Sequence, residues 1–229
     1  MSTRKTPFVN NEFYHIYNRG IDKRSIVGDA RDVERFMQSI GEFNALEPIG
    51  SIYEKHFADK KFGSLASKTD KNELEKLVNI VAYCLNQNHY HFILEQLAEK
   101  GIEKFMHRLG TGYTKYFNNK HKRTGSLFQG KFKSIHVSSN EYLLHLSVYV
   151  NLNNRIHKFG SKASKFMSYR SSWDEYIRNE KSIRGLCVKD IVLNQFDGGE
   201  DYQKFAEDSF ETILIRKELE KELEEMLLE

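Results

Sequence analysis

His89 and His91 lie in the stretch from Ile80 to Leu94, which reads as a strand, a short turn and a second strand. Side chains alternate across a strand, so both imidazoles point to one face and Tyr90 and Phe92 to the other. Two imidazoles held side by side on a rigid strand can ligate a metal ion. The pair alone is equally compatible with two half-buried or surface histidines, because motifs this short arise by chance. A second pair changes the reading. Tyr149 and Asn153 are spaced i, i+4 in a helical segment, which sets a phenol and an amide oxygen on one face about one turn apart. Leu144, Val148 and Leu152 form a neighbouring apolar ridge that can pack on a sheet. Taken singly, Tyr149 reads as a core or rim aromatic and Asn153 as a residue favoured at helix C-termini. Together with the histidines they can form a metal site with a nucleophile alongside.

The elements that must position these groups are legible as periodicity. Glu12 to Tyr17 reads as a first strand, with Phe13, His15 and Tyr17 on one face, and Asn18-Arg19-Gly20 ends it. Asp29 to Asn44 carries a helical stripe of Val33, Phe36, Met37, Ile40 and Phe43. Lys55 to Lys76 is polar and without clear periodicity, as expected of a loop or insertion. Leu77 to Tyr83 and His89 to Glu95 are adjacent strands, and Lys100 to Asn119 is a helix built on Ile102, Phe105, Met106, Leu109, Tyr113, Tyr116 and Phe117. Gly125 to Val137 reads as a basic loop with a short extended segment. Ser138-Ser139-Asn140-Glu141 has the capping-box pattern and opens a helix running to about Arg155. Beyond it, Phe159 to Asn179 is irregular, short helices are expected near Val188 to Gln195 and Tyr202 to Ser209, and a charged helix from Phe210 to Glu229. This order predicts an α+β fold: a ferredoxin-like or RRM-like antiparallel sheet with helices on one face, plus a C-terminal helical extension. The boundary is set at residue 160, with 1–160 as the catalytic domain and 161–229 as the extension.

Composition narrows the class. The 229 residues are 39% hydrophobic and 13% aromatic, which suits one globular domain with appended elements. Cys84 and Cys187 are too few for a disulfide framework or a cysteine-rich zinc site. No run approaches membrane-spanning length and no apolar leader opens the chain, so a cytoplasmic protein without membrane attachment is expected. The net charge of +3 hides an asymmetry. From Lys100 to Gly160 there are eleven Lys or Arg against two acidic residues, and from Asp197 to Glu229 four against twelve. A basic middle interleaved with aromatic residues points to a polyanion. The acidic tail reads as a solvated helix, or as a segment able to cover the basic surface when nucleic acid is absent.

Five ordered motifs over about residues 10–180 carry a specific likeness. They are Tyr14 to Gly20, Asn88 to Leu94, Gly125 to Lys133, Tyr149 to Asn153 and Tyr169 to Tyr176. On these the chain resembles the single-tyrosine HUH transposases, and most closely their REP-associated tyrosine transposase branch. The resemblance implies that His89 and His91 bind a divalent metal, Mg or Mn, that Asn153 supplies the third ligand, and that Tyr149 is the nucleophile. It implies a metal-dependent endonuclease and transesterase that cleaves and rejoins hairpin-bearing single-stranded DNA through a 5′-phosphotyrosine intermediate, with no need for ATP. Two positions depart from the family pattern: Tyr90 stands where an aliphatic residue is usual, and Asn154 where proline is usual. Neither removes a reactive group. Arg19, Lys115, Lys120, Lys122, Arg123, Lys131 and Lys133 are the candidate DNA-binding cations. Tyr113, Tyr116, Phe128 and Phe132 are candidate base-stacking rings, each weighed against a place in the core. His15, His56, His107, His121, His136, His145 and His157 fit no metal-ligand spacing and read as structural or surface residues.

Two other function classes fit parts of the pattern. A non-catalytic nucleic-acid-binding module of RRM-like fold would make the histidine and tyrosine pairs incidental. A metal-dependent hydrolytic nuclease would use activated water and form no covalent adduct. The DNA sequence, the metal, cis or trans cleavage and the choice between monomer and homodimer are not encoded in patterns of this kind.

Overall fold

The computed structural model describes residues 7–50, 52, 75–156, 170–178 and 185–226, with side chains to residue 216. The expectations for Lys55 to Lys76, Phe159 to Asn179, Tyr169, His56 and His157 fall wholly or largely outside those residues.

Four strands form one antiparallel sheet: β1 (Phe13–Arg19), β2 (Val78–Leu85), β3 (His89–Gln96) and β4 (Lys133–His136), in the order β2-β3-β1-β4. The crossovers are α1 (Ala30–Glu42), between β1 and β2, and α2 (Gly101–Lys120), between β3 and β4. This is the expected ferredoxin-like α+β arrangement. Both crossover helices lie on one face, where Val33, Phe36, Met37, Ile40, Ile102, Phe105, Leu109 and Tyr113 pack against Tyr14, Ile16, Tyr90, Phe92 and Leu94. Each large side chain removed from water there contributes about 1.5–3 kcal/mol. Tyr90 is therefore a core residue, 3% exposed, on the face opposite the histidines.

The other face carries Phe13, His15 and Tyr17 of β1 and His89, His91 and Ile93 of β3. It is covered by α3 (Asn140–Asn151), α4 (Asn153–Ile156), α5 (Trp173–Ile177), α6 (Asp190–Leu193) and α7 (Gly199–Met226). Their second core gathers Val81, Ala82, Cys84, Ile93, Leu146, Val148, Val150, Trp173, Tyr176, Val192, Tyr202 and Ala206. The cover is thickest over β2 and β3. Ile135 on β4, which pairs with His15, is 44% exposed, so the β1–β4 part of this face opens to solvent.

Several boundaries differ from the sequence expectation. β1 continues through Arg19, because Tyr17, Asn18 and Arg19 pair with His91, Tyr90 and His89. The cap of α3 is Ser139, whose side chain accepts from the Tyr142 backbone N–H at 3.1 Å. The cap thus lies one residue later than the Ser138–Glu141 pattern suggests, and Glu141 does not close a capping box. The helices expected at Tyr202 to Ser209 and from Phe210 are one helix, α7, since neither glycine nor proline separates them. α1 begins at a reciprocal capping box between Asp29 and Asp32. Among the described residues, no helix is long and apolar enough to cross a membrane.

Candidate active site

The tyrosine is positioned by a buried polar network. α3 buries Leu143, Leu146, Val148 and Val150, and two polar residues of the same helix, Ser147 and Asn151, are also fully buried. Asn151 Nδ2 donates to Tyr202 Oη of α7 at 2.9 Å, and Ser147 Oγ lies 3.0 Å from that hydroxyl. Ser172 Oγ donates to Asn151 Oδ1 at 2.5 Å and accepts from the Tyr83 backbone N–H of β2 at 2.9 Å. A satisfied network of this kind fixes one arrangement, because every alternative orphans a buried donor. The C-terminal helices therefore hold α3, and with it Tyr149, against β2. Tyr202→Phe leaves Asn151 Nδ2 without an acceptor and is expected to destabilise the protein by about 1–3 kcal/mol in chemical denaturation; an unchanged midpoint and slope would contradict this role.

Helical geometry ends at Leu152, the C-cap of α3, and α4 starts a new turn at Asn153. The i, i+4 pair thus spans a joint instead of lying on one continuous helix. The joint seats Asn153 in the interior, 0% exposed. Its Oδ1 lies 3.2 Å from His89 Nε2 and accepts from Asn86 Nδ2 at 2.7 Å. Asn86 Nδ2 is also 2.9 Å from His89 Nε2, while His89 Nδ1 is 2.7 Å from Asn88 Oδ1. The carbonyl of Asn88 can only accept, so it assigns the proton to His89 Nδ1 and leaves the lone pair on Nε2. Two acceptors, His89 Nε2 and Asn153 Oδ1, then converge on one donor amide. Asn86 belongs to the β2–β3 turn, and nothing in its type or spacing marks it as a site residue.

His91 is 7% exposed, and its ring stands perpendicular to that of His89, with centroids 5.2 Å apart. Its Nδ1 lies 2.9 Å from Nε2 of His15, a residue the sequence reading leaves among the structural histidines. The alternation noted for β1 already puts His15 and Tyr17 on one face; the signal missing from the sequence is the register that pairs Tyr17 with His91. Burial lowers the His15 pKa to about 4, so its ring is neutral near neutral pH.

Tyr149 reaches the same place from the other side. Its ring meets His91 edge to face at 5.5 Å and His15 at 6.1 Å. Burial raises its pKa above the usual phenol value, and the adjacent Asn153 amide partly opposes this. Asn153 Nδ2 is buried beside the phenol without a well-formed hydrogen bond. Among the described residues no three His, Cys, Asp or Glu side chains form a metal-holding group; the donors that converge here are two imidazoles and an amide oxygen. That set suits a divalent ion of borderline hardness, and the paired acceptors of His89 and Asn153 fit one.

A cavity of about 790 Å³ opens over these groups, lined by Tyr17, Arg19, Lys23, Gln129, Lys133, His89, His91 and Tyr149. Arg19 Nε donates to Gln129 Oε1, and the Gln129 N–H donates to the Arg19 carbonyl at 2.8 Å, which seats the 125–130 loop on the end of β1. Gly20 permits the turn that follows: a Cβ there would stand 2.1 Å from the Arg24 carbonyl oxygen. Lys133 Nζ lies 6.0 Å from the centre of the Tyr17 ring. A neighbouring cavity of about 920 Å³ shares Asn18 and Tyr90 with the first and is lined by Lys115, Lys131, Phe128 and Phe132.

The remaining predicted cations are not gathered at this opening. Lys120 is paired with Asp29 at 2.5 Å and Asp32 at 2.7 Å, next to His121 on the α1 side. Arg123 lies over Phe117, and Lys122 is exposed nearby. Of the candidate stacking rings, Tyr113 and Phe128 are core, Tyr116 contacts Asp32, and Phe132 is stacked against Phe8.

No curated protein matches the chain. Among solved structures, one described as a REP-associated tyrosine transposase bound to a REP hairpin is similar at 12% identity and a TM-score of 0.46, over 81% of this chain and 88% of that one. The family model described as "Transposase IS200 like" matches residues 52–153, a span that includes both histidines, the tyrosine and the asparagine. Over that span, a little under half of the chain, the sequence is similar to the IS200-like transposases.

Proposed function

We propose that the chain is a single-tyrosine transposase of the HUH type, close to the REP-associated branch, which cleaves and rejoins hairpin-bearing single-stranded DNA. The observation that carries this reading is the convergence in one chain of His89 Nε2 and Asn153 Oδ1, 3.2 Å apart, with the Tyr149 ring set against His91. The packing of α3 on its own sheet supports cleavage in cis, by a monomer or within a homodimer. The catalytic machinery lies in residues 1–160, and the described helices of the extension 161–229 buttress α3.

In this reading His89, His91 and Asn153 hold a divalent ion, Mg or Mn. Such an ion supplies Lewis-acid polarisation of the scissile phosphodiester. Arg19 and Lys133 position the phosphates at the opening, and Lys115 and Lys131 continue the basic track along the second cavity, whereas Lys120, Lys122 and Arg123 line neither cavity. Tyr149 Oη attacks phosphorus, its proton is lost, the 5′-phosphotyrosine forms and the 3′-hydroxyl leaves. The bond energy is conserved in the ester, so rejoining needs no ATP.

The reaction should speed up with pH. Burial holds the Tyr149 phenol above its ordinary value near 10, so its reactive phenolate is scarce at neutral pH. When chemistry limits the rate, cleavage rises close to tenfold per unit between roughly pH 6 and 9. A flat profile over that range would show that deprotonation of Tyr149 does not control the step.

The RRM-like binding reading is weakened by the second core. Modules of that kind present an open sheet face to bases, whereas here α3, α5 and α7 pack over β2 and β3. The deciding experiment incubates the protein with end-labelled hairpin DNA and Mn²⁺, followed by a denaturing gel. A Tyr149-dependent shifted band is expected. Cleavage without the band means hydrolysis, and neither product means binding alone.

A further inference from the structure

We propose that His15 is a positioning residue for the metal ligand His91, accepting the proton of His91 Nδ1 so that the lone pair of that ring resides on Nε2. This deepens the function proposed above and rests on it. The geometry is specific. His15 Nε2 and His91 Nδ1 are 2.9 Å apart, the two rings stack at 5.1 Å with 21° between their planes, and the residues are 6% and 7% exposed. Two neutral imidazoles that share an N···N contact hold one proton between them, and there are two ways to place it. If His15 Nε2 carries it, His91 takes its own proton on Nε2 and that nitrogen cannot ligate. If His91 Nδ1 carries it, His15 accepts and His91 Nε2 is available to a cation. Ligation through Nε2 requires the second arrangement, as outer partners of ligating histidines generally do.

The site then has two matched devices. Asn88 fixes the ring of His89 through Nδ1, and His15 fixes the ring of His91 through Nδ1. Both come from β1 or the β2–β3 turn, so the imidazoles are oriented by the sheet itself. The contact is possible because β1 is the neighbour of β3 and its register places His15 diagonally across from His91.

The test uses the full chain without DNA, titrated with Mn²⁺ by electron paramagnetic resonance, with hairpin DNA affinity in EDTA as a second readout. His15→Leu is expected to weaken Mn²⁺ binding about 10–100-fold and to leave metal-free DNA affinity unchanged. His15→Gln, which restores an acceptor at the same reach, is expected to recover most of the loss. Nitrogen-15 imidazole spectra of the wild type, which need no variant, are expected to show His91 protonated at Nδ1. A His91 protonated at Nε2, wild-type Mn²⁺ affinity in folded His15→Leu, or equal losses in His15→Leu and His15→Gln would each overturn the proposal while leaving the metal site standing. Mn²⁺ binding that ignores His91→Ala would overturn the metal site, and this role with it.

Discussion

Tyr149→Phe should abolish the covalent DNA adduct and lower strand cleavage by at least about 10⁴-fold, the scale on which removal of a nucleophile is felt. The substitution deletes one oxygen and keeps the ring. Its edge-to-face contacts with His91 and His15, at 5.5 and 6.1 Å, persist, so the histidines have no reason to move. Among the described residues the hydroxyl stands beside the buried Asn153 amide without a well-formed hydrogen bond to it, so the stability change should stay below about 1 kcal/mol. Hairpin DNA affinity and Mn²⁺ affinity should match the wild type. That combination separates loss of chemistry from loss of fold. Residual cleavage near the wild-type rate, with no adduct in either protein, would assign the reaction to activated water and remove Tyr149 from the mechanism.

The second large effect is expected at Asn153. Asn153→Ala removes the oxygen that stands 3.2 Å from His89 Nε2 and takes from Asn86 Nδ2 the nearer of its two acceptors, at 2.7 Å, leaving His89 Nε2 at 2.9 Å. Two consequences follow from one change. Metal affinity should fall about 10–100-fold and cleavage at limiting Mn²⁺ about 10²–10³-fold, with partial recovery at high Mn²⁺. Stability should fall by about 1–3 kcal/mol, because one of the two N–H groups of the buried Asn86 amide loses its acceptor. Asn153→Asp is the informative companion. It keeps the oxygen and the partner of Asn86 and adds negative charge toward the cation. It should retain metal binding and most of the cleavage, whereas Asn153→Leu should behave like the alanine variant. Equal activity in the aspartate and leucine variants would mean that Asn153 only shapes the joint between α3 and α4.

These expectations depend on the C-terminal helices more than their distance in sequence suggests. Tyr202, Ser172 and Asn151 form one buried chain of hydrogen bonds from α7 to the backbone of β2. The helix that carries Tyr149 is held between them, so the extension supports the site without touching the reacting atoms.

Local residue order encodes a set of faces. Strict alternation places His89 and His91 together and sends Tyr90 to the opposite core, and the helical stripes of Asp29 to Asn44 and Lys100 to Asn119 mark the crossover helices. Both follow from backbone geometry that repeats every two or 3.6 residues, which a local reading can follow. The tertiary structure alone decided the partners. His15 meets His91 only through the β1–β3 register, and Asn86 meets Asn153 only because α3 and α4 fold back over the end of β2. The break at Leu152, Ser139 in place of Ser138 as the cap, and the pairing of Lys120 with Asp29 and Asp32 have the same origin. Each depends on groups far apart in the chain and on which burial is most favourable once they meet. A local period carries no information about that choice.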